Sequence, residues 1–600
     1  MSALAERSAS VGAMLVAQVA ASGAREAFRY PEGDRWTSLS WNDTSDRVFA
    51  AAAGLLALGL EREDRVAIAS GTRIEWVLAD LGIMCAGGAT TTVYPSTQHE
   101  DVCFILADSD TRIVIAEDAE QVTKVLDHLD ELPRLRAIVQ LEGTVDHELV
   151  SSWADLLARG AERLAAHPNC VEEAIASTHA QTLSTLIYTS GTTGRPKGVR
   201  LLHDSWTYLG AAIEDFGIIT VADLQYLWLP LSHVFGKALI AIQLRIGFAT
   251  AIDGRVDKIV DNLAVVRPTF MAGAPRIFEK VRAKVMMGAA HGVKAKIFDW
   301  AFSVGHKTVP IRTAGKQPKG LLAAQYAVAD ALVFSKIKAR MGGRIKFFVS
   351  GSAALNREVQ EWFYAAGLLV LEGYGLTETS AASFVNDPTK TRFGTVGPPV
   401  PGTEVRIADD GEVLIRGAGV MQGYHHNDEA TAEVLSSDGW FSTGDLGELD
   451  EAGYLRITDR KKDLIKTSGG KYVAPQKVEG AVKAACPYTS QVVAYGEGRK
   501  YVTALITLDP DALKDWASTH AAAESSYAAL ATSDAVHTMI NGYVDQANRK
   551  LERWETVKRF VILPEELTVE EGEVTPSQKV RRGQVTKRYA TELDALYDKD

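Results

Sequence analysis

The chain has 600 residues, of which 46% are hydrophobic, so it can build several cores and is expected to be a multidomain globular protein. Its formal net charge of −12 argues against non-specific binding to nucleic acid, and we expect no nucleic-acid partner. The four cysteines lie far apart in the sequence and form no metal-ligand spacing, which indicates reduced thiols in a cytoplasmic protein.

Two apolar stretches near the start and middle of the chain raise the question of a membrane segment. Val11 to Ala21 lacks the basic flank of a signal peptide and is read as an amphipathic helix. Ala238 to Ile252 is interrupted by Gln243 and Arg245, so it falls short of the roughly 18 apolar residues that a membrane span requires. We therefore expect no transmembrane segment.

Short runs of β-forming residues alternate with longer helical patterns such as Trp41 to Leu58. This alternation is typical of an α/β fold with largely parallel sheets covered by helices. The clearest strand predictions are Arg65 to Ala69, Ile113 to Ala116, Ala137 to Gln140, Leu183 to Tyr188 and Lys346 to Ser350.

The segment Tyr188 to Gly198 reads Tyr-Thr-Ser-Gly-Thr-Thr-Gly-Arg-Pro-Lys-Gly and directly follows a predicted strand. Its hydroxyls, its glycines and Lys197 suit a loop that holds a polyphosphate through backbone N–H groups, side-chain donors and a positive charge. It is not a Walker A loop, because Lys197 follows Pro196 instead of completing a Gly-Lys-Ser/Thr sequence. The alternative is a surface turn rich in serine, threonine and glycine.

Residues 280–346, here called the basic insertion, contain fourteen lysines and arginines but only two acidic residues, Asp299 and Asp330. One interpretation is that these charges are the solvated faces of amphipathic helices. The other is a surface for anions, either phospholipid headgroups or the phosphates of a nucleotide-like cosubstrate.

Two later motifs carry groups suited to a nucleotide. In the segment Glu372 to Thr379, Tyr374 could cover an adenine, Thr377 could donate to a phosphate and Glu378 could hold Mg²⁺. The segment Gly439 to Asp445 ends in a carboxylate that could accept from ribose hydroxyls. Each motif alone is equally compatible with a turn or a helix start.

From Gly402 to Thr458 the pattern changes to short strands separated by Gly and Asp turns, which predicts a β-rich subdomain. The charged run 459–463 is either a solvated surface or a linker. We predict a large N-terminal domain at 1–458, which carries the basic insertion, a hinge at 459–463 and a small C-terminal domain at 464–600.

In this order, and together with Leu229 to Phe235 and Thr575 to Arg582, these motifs resemble the adenylate-forming superfamily. That superfamily includes acyl-CoA synthetases, aryl-CoA ligases, peptide-synthetase adenylation domains and firefly-type luciferases. The resemblance implies an α/β fold, with a large N-terminal domain of two α/β sheet subdomains plus a β-rich subdomain. A small, mobile α+β C-terminal domain would follow.

The resemblance also assigns roles to individual residues. It implies an ATP- and AMP-binding set made of Thr189, Ser190, Gly191, Thr192, Thr193, Gly194, Lys197, Gly351, Ser352, Glu372, Gly373, Tyr374, Gly375, Thr377, Asp445 and Arg460. Further roles are Mg²⁺ binding at Thr189 and Glu378, catalysis by Lys579, a domain hinge at Lys462, an acyl-site gate at His233, and CoA binding at Gly469, Gly470 and Lys471. For His233 the alternative is a packed core histidine.

The basic insertion and the phrase Lys296 to Ala301 look like those of bacterial long-chain fatty acyl-CoA synthetases. The implied reaction converts a fatty acid and ATP to acyl-AMP and pyrophosphate, and then transfers the acyl group to CoA with release of AMP. We expect fatty acid, ATP and CoA as partners, Mg²⁺ as cofactor, and a cytoplasmic protein that contacts anionic membrane peripherally at its inner face. Three alternative functions stay open: an acyl-AMP ligase that loads a carrier protein, a luciferase-like oxidoreductase and a non-catalytic lipid-binding protein. Assembly as a homodimer also stays open.

Overall fold

The computed structural model describes residues 2–189, 195–289, 292–520, 525–575 and 579–598. Its large domain contains two eight-stranded sheets. The first sheet is parallel at its centre and antiparallel at both edges. Its strands lie in the spatial order Phe384–Val385, Val370–Tyr374, Phe347–Ser350, Phe270–Gly273, Leu224–Leu227, Ala249–Ile252, Glu26–Glu32 and Arg35–Ser40.

The second sheet is also mostly parallel and carries the predicted phosphate-binding segment near one edge. Its strands lie in the order Gly423–Tyr424, Lys197–Leu202, Leu183–Thr189, Ala89–Val93, Arg65–Ala69, Thr111–Ala116, Ala137–Gln140 and Val150–Ser152. The α/β prediction and the five strand predictions named above are confirmed, with ends that differ by at most a few residues.

Helices cover these sheets. Trp41–Ala57 begins where predicted because Ser40 caps it: the Ser40 hydroxyl accepts from Asp43 N–H and the Asp43 carboxylate accepts from Ser40 N–H. The α-helices of the large domain are Val11–Ser22, Trp41–Ala57, Ile74–Cys85, His99–Asp108, Ala119–Leu126, Trp153–Ala166, Cys170–Ala176, His203–Phe216, Val234–Ile246, Ile259–Val266, Pro275–Gly288, Gly292–Thr313, Gly320–Ala329, Ser335–Arg340, Arg357–Ala365 and Asp428–Val434.

One apolar core joins the two sheets. Trp41, Trp76 and Trp206 are almost fully buried in it, together with much of helix Val234–Ile246. That helix also contains Lys237, which is ion-paired with Asp80 although both side chains are buried. Because the helix lies between the sheets, its N-terminal end is held at the cleft where the strands of both sheets end.

The β-rich subdomain is an antiparallel sheet of Glu404–Ile407, Glu412–Arg416, Phe441–Leu449 and Leu455–Arg460. Its last strand includes Asp459 and Arg460, which the sequence placed in the hinge. Lys461 is also tied to the large domain, because its backbone N–H donates to Gly444 O at 2.9 Å. The linking segment therefore begins after Lys461.

The small domain is α+β. Ile465–Lys466 and Tyr472–Val473 form a hairpin, and Thr489–Tyr495, Val502–Leu508 and Val557–Ile562 form a three-stranded sheet. The α-helices are Pro475–Ala485, Pro510–Thr519, Tyr527–Ala531, Asp534–Asn548, Arg582–Arg588 and Ala590–Ala595. Two of them, Pro475–Ala485 and Asp534–Asn548, pack on the sheet around a separate apolar core.

Within the described ranges, one helical stretch, Gly320–Arg340, is long and apolar enough by composition to cross a membrane. Its most apolar window has a mean hydropathy of 1.3, and only 17% of that window is buried. Yet Phe334 and Ile337 on one side of the stretch pack into the protein core. In the sequence this segment is not an uninterrupted apolar run, because Gln325, Asp330 and Lys336 divide it.

Candidate active site

The strand Leu183–Thr189 brings the predicted phosphate loop to the edge of the second sheet. Thr189 pairs with Lys197 in the antiparallel hairpin, so both residues stand at the base of the loop. The Thr189 hydroxyl donates weakly to Lys197 O at 3.4 Å. Five predicted phosphate-binding residues lie outside the described residues, and their roles stay predictions: Ser190, Gly191, Thr192, Thr193 and Gly194.

Tyr188 fixes the base of this hairpin. Its hydroxyl donates to Asp108 Oδ2 at 2.6 Å, and its ring lies against Gly198. A Cβ at Gly198 would stand 3.0 Å from the ring, so a larger residue would push the ring or the strand aside. The Tyr188 pKa is raised by burial and by Asp108, which keeps the phenol protonated as a donor.

Tyr424 links the phosphate loop to the carboxylate of Glu378, and the sequence did not single it out. Its strand pairs with Lys197–Leu202, which places Tyr424 opposite Val199. Its hydroxyl donates to Glu378 Oε1 at 2.9 Å, and Lys197 Nζ lies over its ring at 5.0 Å. The only sequence signal was a Gly-Tyr pair in a loop-like region, and two-residue strands have no periodicity to detect.

A tight turn presents Glu378. The Glu378 carbonyl accepts from Met421 N–H at 2.8 Å, while Ser380 and Ala381 adopt positive φ angles of 57° and 79°. A Cβ at Gly375 would lie 2.0 Å from Ala381 O, so this position admits only glycine. Gly375 of the predicted motif therefore allows the tight turn, and the turn positions the Glu378 carboxylate.

Tyr374, Asp445 and Arg460 form a second group of contacts. The Tyr374 hydroxyl donates to Asp445 Oδ2 at 2.6 Å, and Arg460 Nε lies 3.3 Å from Asp445 Oδ1. Asp445 is 5% exposed, and burial raises its pKa against the opposing effect of Arg460. Antiparallel pairing of the last two strands of the β-rich subdomain sets Asp445 opposite Arg460. The three predicted nucleotide residues are thus brought together.

Glu372 has a different role from the one predicted for it. Its carboxylate is buried, and its two oxygens accept from Leu355 N–H and Gln360 Nε2, each at 2.9 Å. Burial raises the Glu372 pKa to about 8. The side chain therefore holds the loop that follows strand Phe347–Ser350 instead of facing a nucleotide, which corrects the prediction.

The remaining predicted nucleotide residues lie where the strands of the first sheet end. Gly373 is paired at the sheet edge, opposite Val385, and Thr377 is buried in a short 3₁₀ turn. Gly351 lies against Phe235, since a Cβ there would approach the ring to 3.0 Å, and Ser352 has a φ of 71°. Strand Phe347–Ser350 is thus followed by a strained turn beside the start of helix Val234–Ile246.

Lys579 reaches this cleft from the small domain. Thr575 and Lys579 close a small loop, with Thr575 N–H donating to Lys579 O at 2.8 Å and Lys579 N–H donating to Thr575 Oγ1 at 3.1 Å. Lys579 is exposed to solvent, although Arg460, Glu378 and Asp445 of the large domain lie near its side chain. Burial and Arg460 lower its pKa to about 8, opposed by Glu378 and Asp445. Lys579 therefore lies near Glu378, which Tyr424 links to the phosphate loop, and near the contact group of Asp445 and Arg460.

His233 lies at the N-terminus of helix Val234–Ile246 and caps it, because its Nδ1 accepts from Phe235 N–H at 3.2 Å. Burial and the charge of Lys579 lower the His233 pKa to about 3, so the ring is neutral at physiological pH. With Nδ1 as the acceptor, the ring proton is on Nε2. The gating role stays a prediction.

The hinge and CoA residues lie outside this cluster. Lys462 is exposed in the turn between strands Leu455–Arg460 and Ile465–Lys466. Gly469, Gly470 and Lys471 form an exposed turn of the small domain, where Lys471 Nζ lies 5.1 Å from the Trp554 ring centre. Their predicted roles require another arrangement of the two domains and stay predictions.

The small domain is held in place by part of the basic insertion. Lys280 lies 3.3 Å from Asp509 and 3.4 Å from Asp511, and Arg282 donates to Ala484 O at 2.7 Å. Three other basic residues of the insertion are also engaged by protein groups: Arg312 with Tyr364, Lys338 with Asp330, and Lys346 with Asp223. The basic excess is thus not a single anion-binding surface.

Two α/β sheets, a β-rich subdomain and a small domain that delivers a lysine to their common cleft define an adenylate-forming type of enzyme. The chain belongs to the family described as AMP-binding enzyme, whose profile matches residues 15–425. A second profile, AMP-binding enzyme C-terminal domain, matches residues 462–600. The two matches leave residues 426–461 between them.

Curated relatives cover nearly the whole chain. The long-chain-fatty-acid–CoA ligase FadD15 of Mycobacterium bovis is 36% identical over 568 residues, which cover 94% of this chain and 93% of that protein. The human long-chain-fatty-acid–CoA ligase ACSBG2 is 30% identical over 611 residues, covering 96% of this chain and 90% of that protein.

Solved structures share the fold. The adenylation domain of a carboxylate reductase from Mycobacterium chelonae matches with a TM-score of 0.76 at 21% identity, covering 99% of this chain and 92% of that one. A fatty acyl CoA synthetase of Mycobacterium tuberculosis matches with a TM-score of 0.62, also at 21% identity, covering 97% of this chain and 99% of that one.

Proposed function

We propose that this protein is a long-chain fatty acid:CoA ligase that forms acyl-AMP and pyrophosphate from a fatty acid and ATP, and then acyl-CoA and AMP. The observation that carries the proposal is the position of Lys579 in the cleft, beside Asp445, Arg460 and Glu378. Support for the acid and the acceptor comes from relatives named long-chain-fatty-acid–CoA ligase, similar along almost the whole chain.

In the first step the carboxylate attacks the α-phosphate, and two anions must approach each other. Lys579 Nζ is suited to lie between them and to offset the charge of the pentacoordinate transition state. Its lowered pKa leaves it mostly protonated near pH 7. Asp445 is suited to accept from ribose hydroxyls, and Arg460 opposes the rise in the pKa of that carboxylate that burial causes.

Lys197 and the loop that precedes it would hold the β- and γ-phosphates, so pyrophosphate leaves from that end of the site. The ring of Tyr424 beneath Lys197 limits where the ammonium can go. The neutral imidazole of His233 keeps one N–H donor available at the acyl side of the cleft. The positions of Lys197 and His233 are thus both restricted by contacts within the protein itself.

The residues present fit Mg²⁺. Glu378 has one oxygen bound by Tyr424, and within the described chain no donor occupies the other, while Thr189 offers a hydroxyl at the base of the phosphate-loop hairpin. A carboxylate and a hydroxyl beside phosphate oxygens are the hard ligands that this ion prefers. Mg²⁺ held there would offset phosphate charge.

The second step requires the small domain to turn about Lys462 so that Lys579 leaves and Gly469 to Lys471 face the thiol. The segment after Lys461 suits such a hinge, since Lys461 is bound to the large domain by Asp410 at 2.5 Å and Glu412 at 3.0 Å. We also propose that the enzyme works in the cytoplasm at the inner face of the membrane, where its acid substrate is dissolved.

The test is pyrophosphate release with acids of graded chain length, with and without CoA, followed by mass analysis of products. Acyl-CoA and AMP with long acids support the proposal. Acyl-AMP that is transferred only to a carrier protein would identify the carrier-loading alternative, and oxygen consumption would identify the oxidative one. An absence of pyrophosphate release with every acid would contradict all three.

A further inference from the structure

Two neighbouring helices of the basic insertion each expose an apolar stripe. On Gly292–Thr313 the stripe is Val293, Ile297 and Trp300, and on Gly320–Arg340 it is Leu321, Val328 and Leu332. Spacings of four and three residues in the first stripe, and seven and four in the second, place each set on one side of its helix. Leu321 is 75% exposed and Val293 is 73% exposed.

The opposite sides of these helices are anchored in the protein. Phe302 stacks on Trp362 of helix Arg357–Ala365 with ring centres 4.6 Å apart, and it meets Phe334 edge-on at 5.2 Å. Phe334 is fully buried. Because each helix already buries one apolar side in the core, neither can leave it to span a bilayer. A second apolar side on an anchored helix suits shallow burial in a surface layer.

Basic side chains that the protein does not neutralise surround the stripes. Within the described ranges, seven exposed basic residues on these two helices and their connection have no salt bridge: Lys294, Lys296, Lys307, Lys316, Lys319, Lys336 and Arg340. Lys319 directly precedes Leu321, and Lys336 lies one turn beyond Leu332. Asp330, one of the two acids of the insertion, is ion-paired with Lys338.

We propose that these two stripes and their seven basic residues, together called the docking face, bind the surface of an anionic lipid bilayer. The apolar side chains enter the boundary between headgroups and acyl chains, and the lysines contact lipid phosphates. The charge of the face selects this occupant, since the basic insertion has fourteen basic and two acidic residues within a protein whose net charge is −12. Binding itself does not depend on the ligase reaction, although the benefit of binding rests on that proposed function.

The experiment is co-sedimentation of the full chain with equimolar phosphatidylglycerol–phosphatidylcholine vesicles, and with phosphatidylcholine vesicles. Two triple variants alter the face, L321N/V328N/L332N and K316Q/K319Q/K336Q. Matched controls remove exposed groups elsewhere: V256N/V265N, whose valines are 62% and 65% exposed, and K500Q/K558Q/K587Q on the small domain. Activity on an acid kept below its solubility limit, without vesicles, checks that each variant is folded.

We expect wild type to bind the anionic vesicles and to lose binding in high salt. The apolar triple variant should bind about tenfold more weakly, and each neutralised lysine should weaken binding about fivefold. The controls should bind as wild type, and all variants should retain activity on the soluble acid.

Three results would overturn the docking face while leaving the ligase proposal standing. They are no binding by active wild-type protein, unchanged binding by both triple variants, and equal losses in the controls. A dimer of the wild type that becomes monomeric in L321N/V328N/L332N, with vesicle binding intact, would show that the stripes instead meet a second copy of the chain.

Discussion

The pH dependence of the first half-reaction should report the titration of Lys579. The cleft lowers the Lys579 pKa to about 8, so about nine-tenths of the enzyme carries the charge at pH 7 and about one-tenth at pH 9. Because the charged form is the active one, kcat/KM for ATP should be constant below pH 8 and fall about tenfold per pH unit above it. His233 does not contribute, since its pKa is about 3.

Glu372 provides the critical control, because its pKa is also raised to about 8. The assay is ATP–pyrophosphate exchange with a fixed long-chain acid from pH 6 to pH 10, in wild type, Lys579→Met and Glu372→Gln. The exchange rate of Lys579→Met should be lower than that of wild type by a factor of about 100 to 1,000, which is the usual effect of losing one preorganised group that faces the transition-state charge. Its remaining activity should not change near pH 8, whereas Glu372→Gln should keep the decline.

Thioester formation from supplied acyl-AMP distinguishes a catalytic charge from a structural one. Lys579→Met should form acyl-CoA from acyl-AMP at close to the wild-type rate, because the proposed rotation of the small domain removes the lysine from the cleft before CoA reacts. The reasoning is refuted if Lys579→Met loses both half-reactions equally, or if the decline near pH 8 persists in Lys579→Met and disappears in Glu372→Gln.

Three further changes test other parts of the structure. Tyr424→Phe removes the hydrogen bond to Glu378 but keeps the ring under Lys197, so kcat/KM for ATP should fall about tenfold and more Mg²⁺ should be required. The control is Tyr454→Phe, which removes a hydroxyl that donates to Lys390 O. Equal effects of the two substitutions would contradict the role of Tyr424. Lys280→Glu should loosen the small domain and speed proteolysis within 461–464 several-fold, whereas Lys284→Glu, one turn along the same helix and without an ion pair, should not. Lys237→Met leaves the buried Asp80 without its cation, so the free energy of unfolding in urea should fall by about 3–5 kcal/mol. The double variant Lys237→Met/Asp80→Asn should recover most of this loss. A loss below about 1 kcal/mol in Lys237→Met would refute the buried pair.

Much of the fold was readable from the sequence because its signals are local. The strand Arg65–Ala69 follows from a run of β-forming residues, and the helix Trp41–Ala57 follows from its helical pattern. The predicted hinge included two residues that lie in a strand of the structure. Asp459 and Arg460 are charged like a linker, but they pair with the strand Phe441–Leu449, and such long-range pairing leaves no mark on neighbouring residues.

The site was predicted in the same uneven way. Tyr374, Asp445, Arg460 and Lys579 come together in the cleft as the resemblance implied. Glu372 belongs to the same motif, yet its carboxylate is held by Leu355 N–H and Gln360 Nε2, which are contacts that a motif read along the chain does not show.

Tyr424 and the partners of the basic insertion depend on contacts between segments far apart in the chain, so sequence patterns could not reveal them. Tyr424 acts on Glu378 across 46 positions, and Lys280 contacts Asp511 across 231. Local composition showed that the insertion is basic. Only the packing of its helices separates the charges used within the protein from those left on the docking face.

The most direct test of the proposed chemistry is to follow the carboxylate oxygen. A long-chain acid labelled with heavy oxygen in its carboxylate is incubated with ATP, CoA and the enzyme, and the AMP and acyl-CoA are analysed by mass spectrometry. Attack of the carboxylate on the α-phosphate predicts one heavy oxygen in each AMP and one in the thioester carbonyl. Unlabelled AMP, with the label in pyrophosphate or inorganic phosphate, would contradict an acyl-AMP intermediate and with it the role given to Lys579.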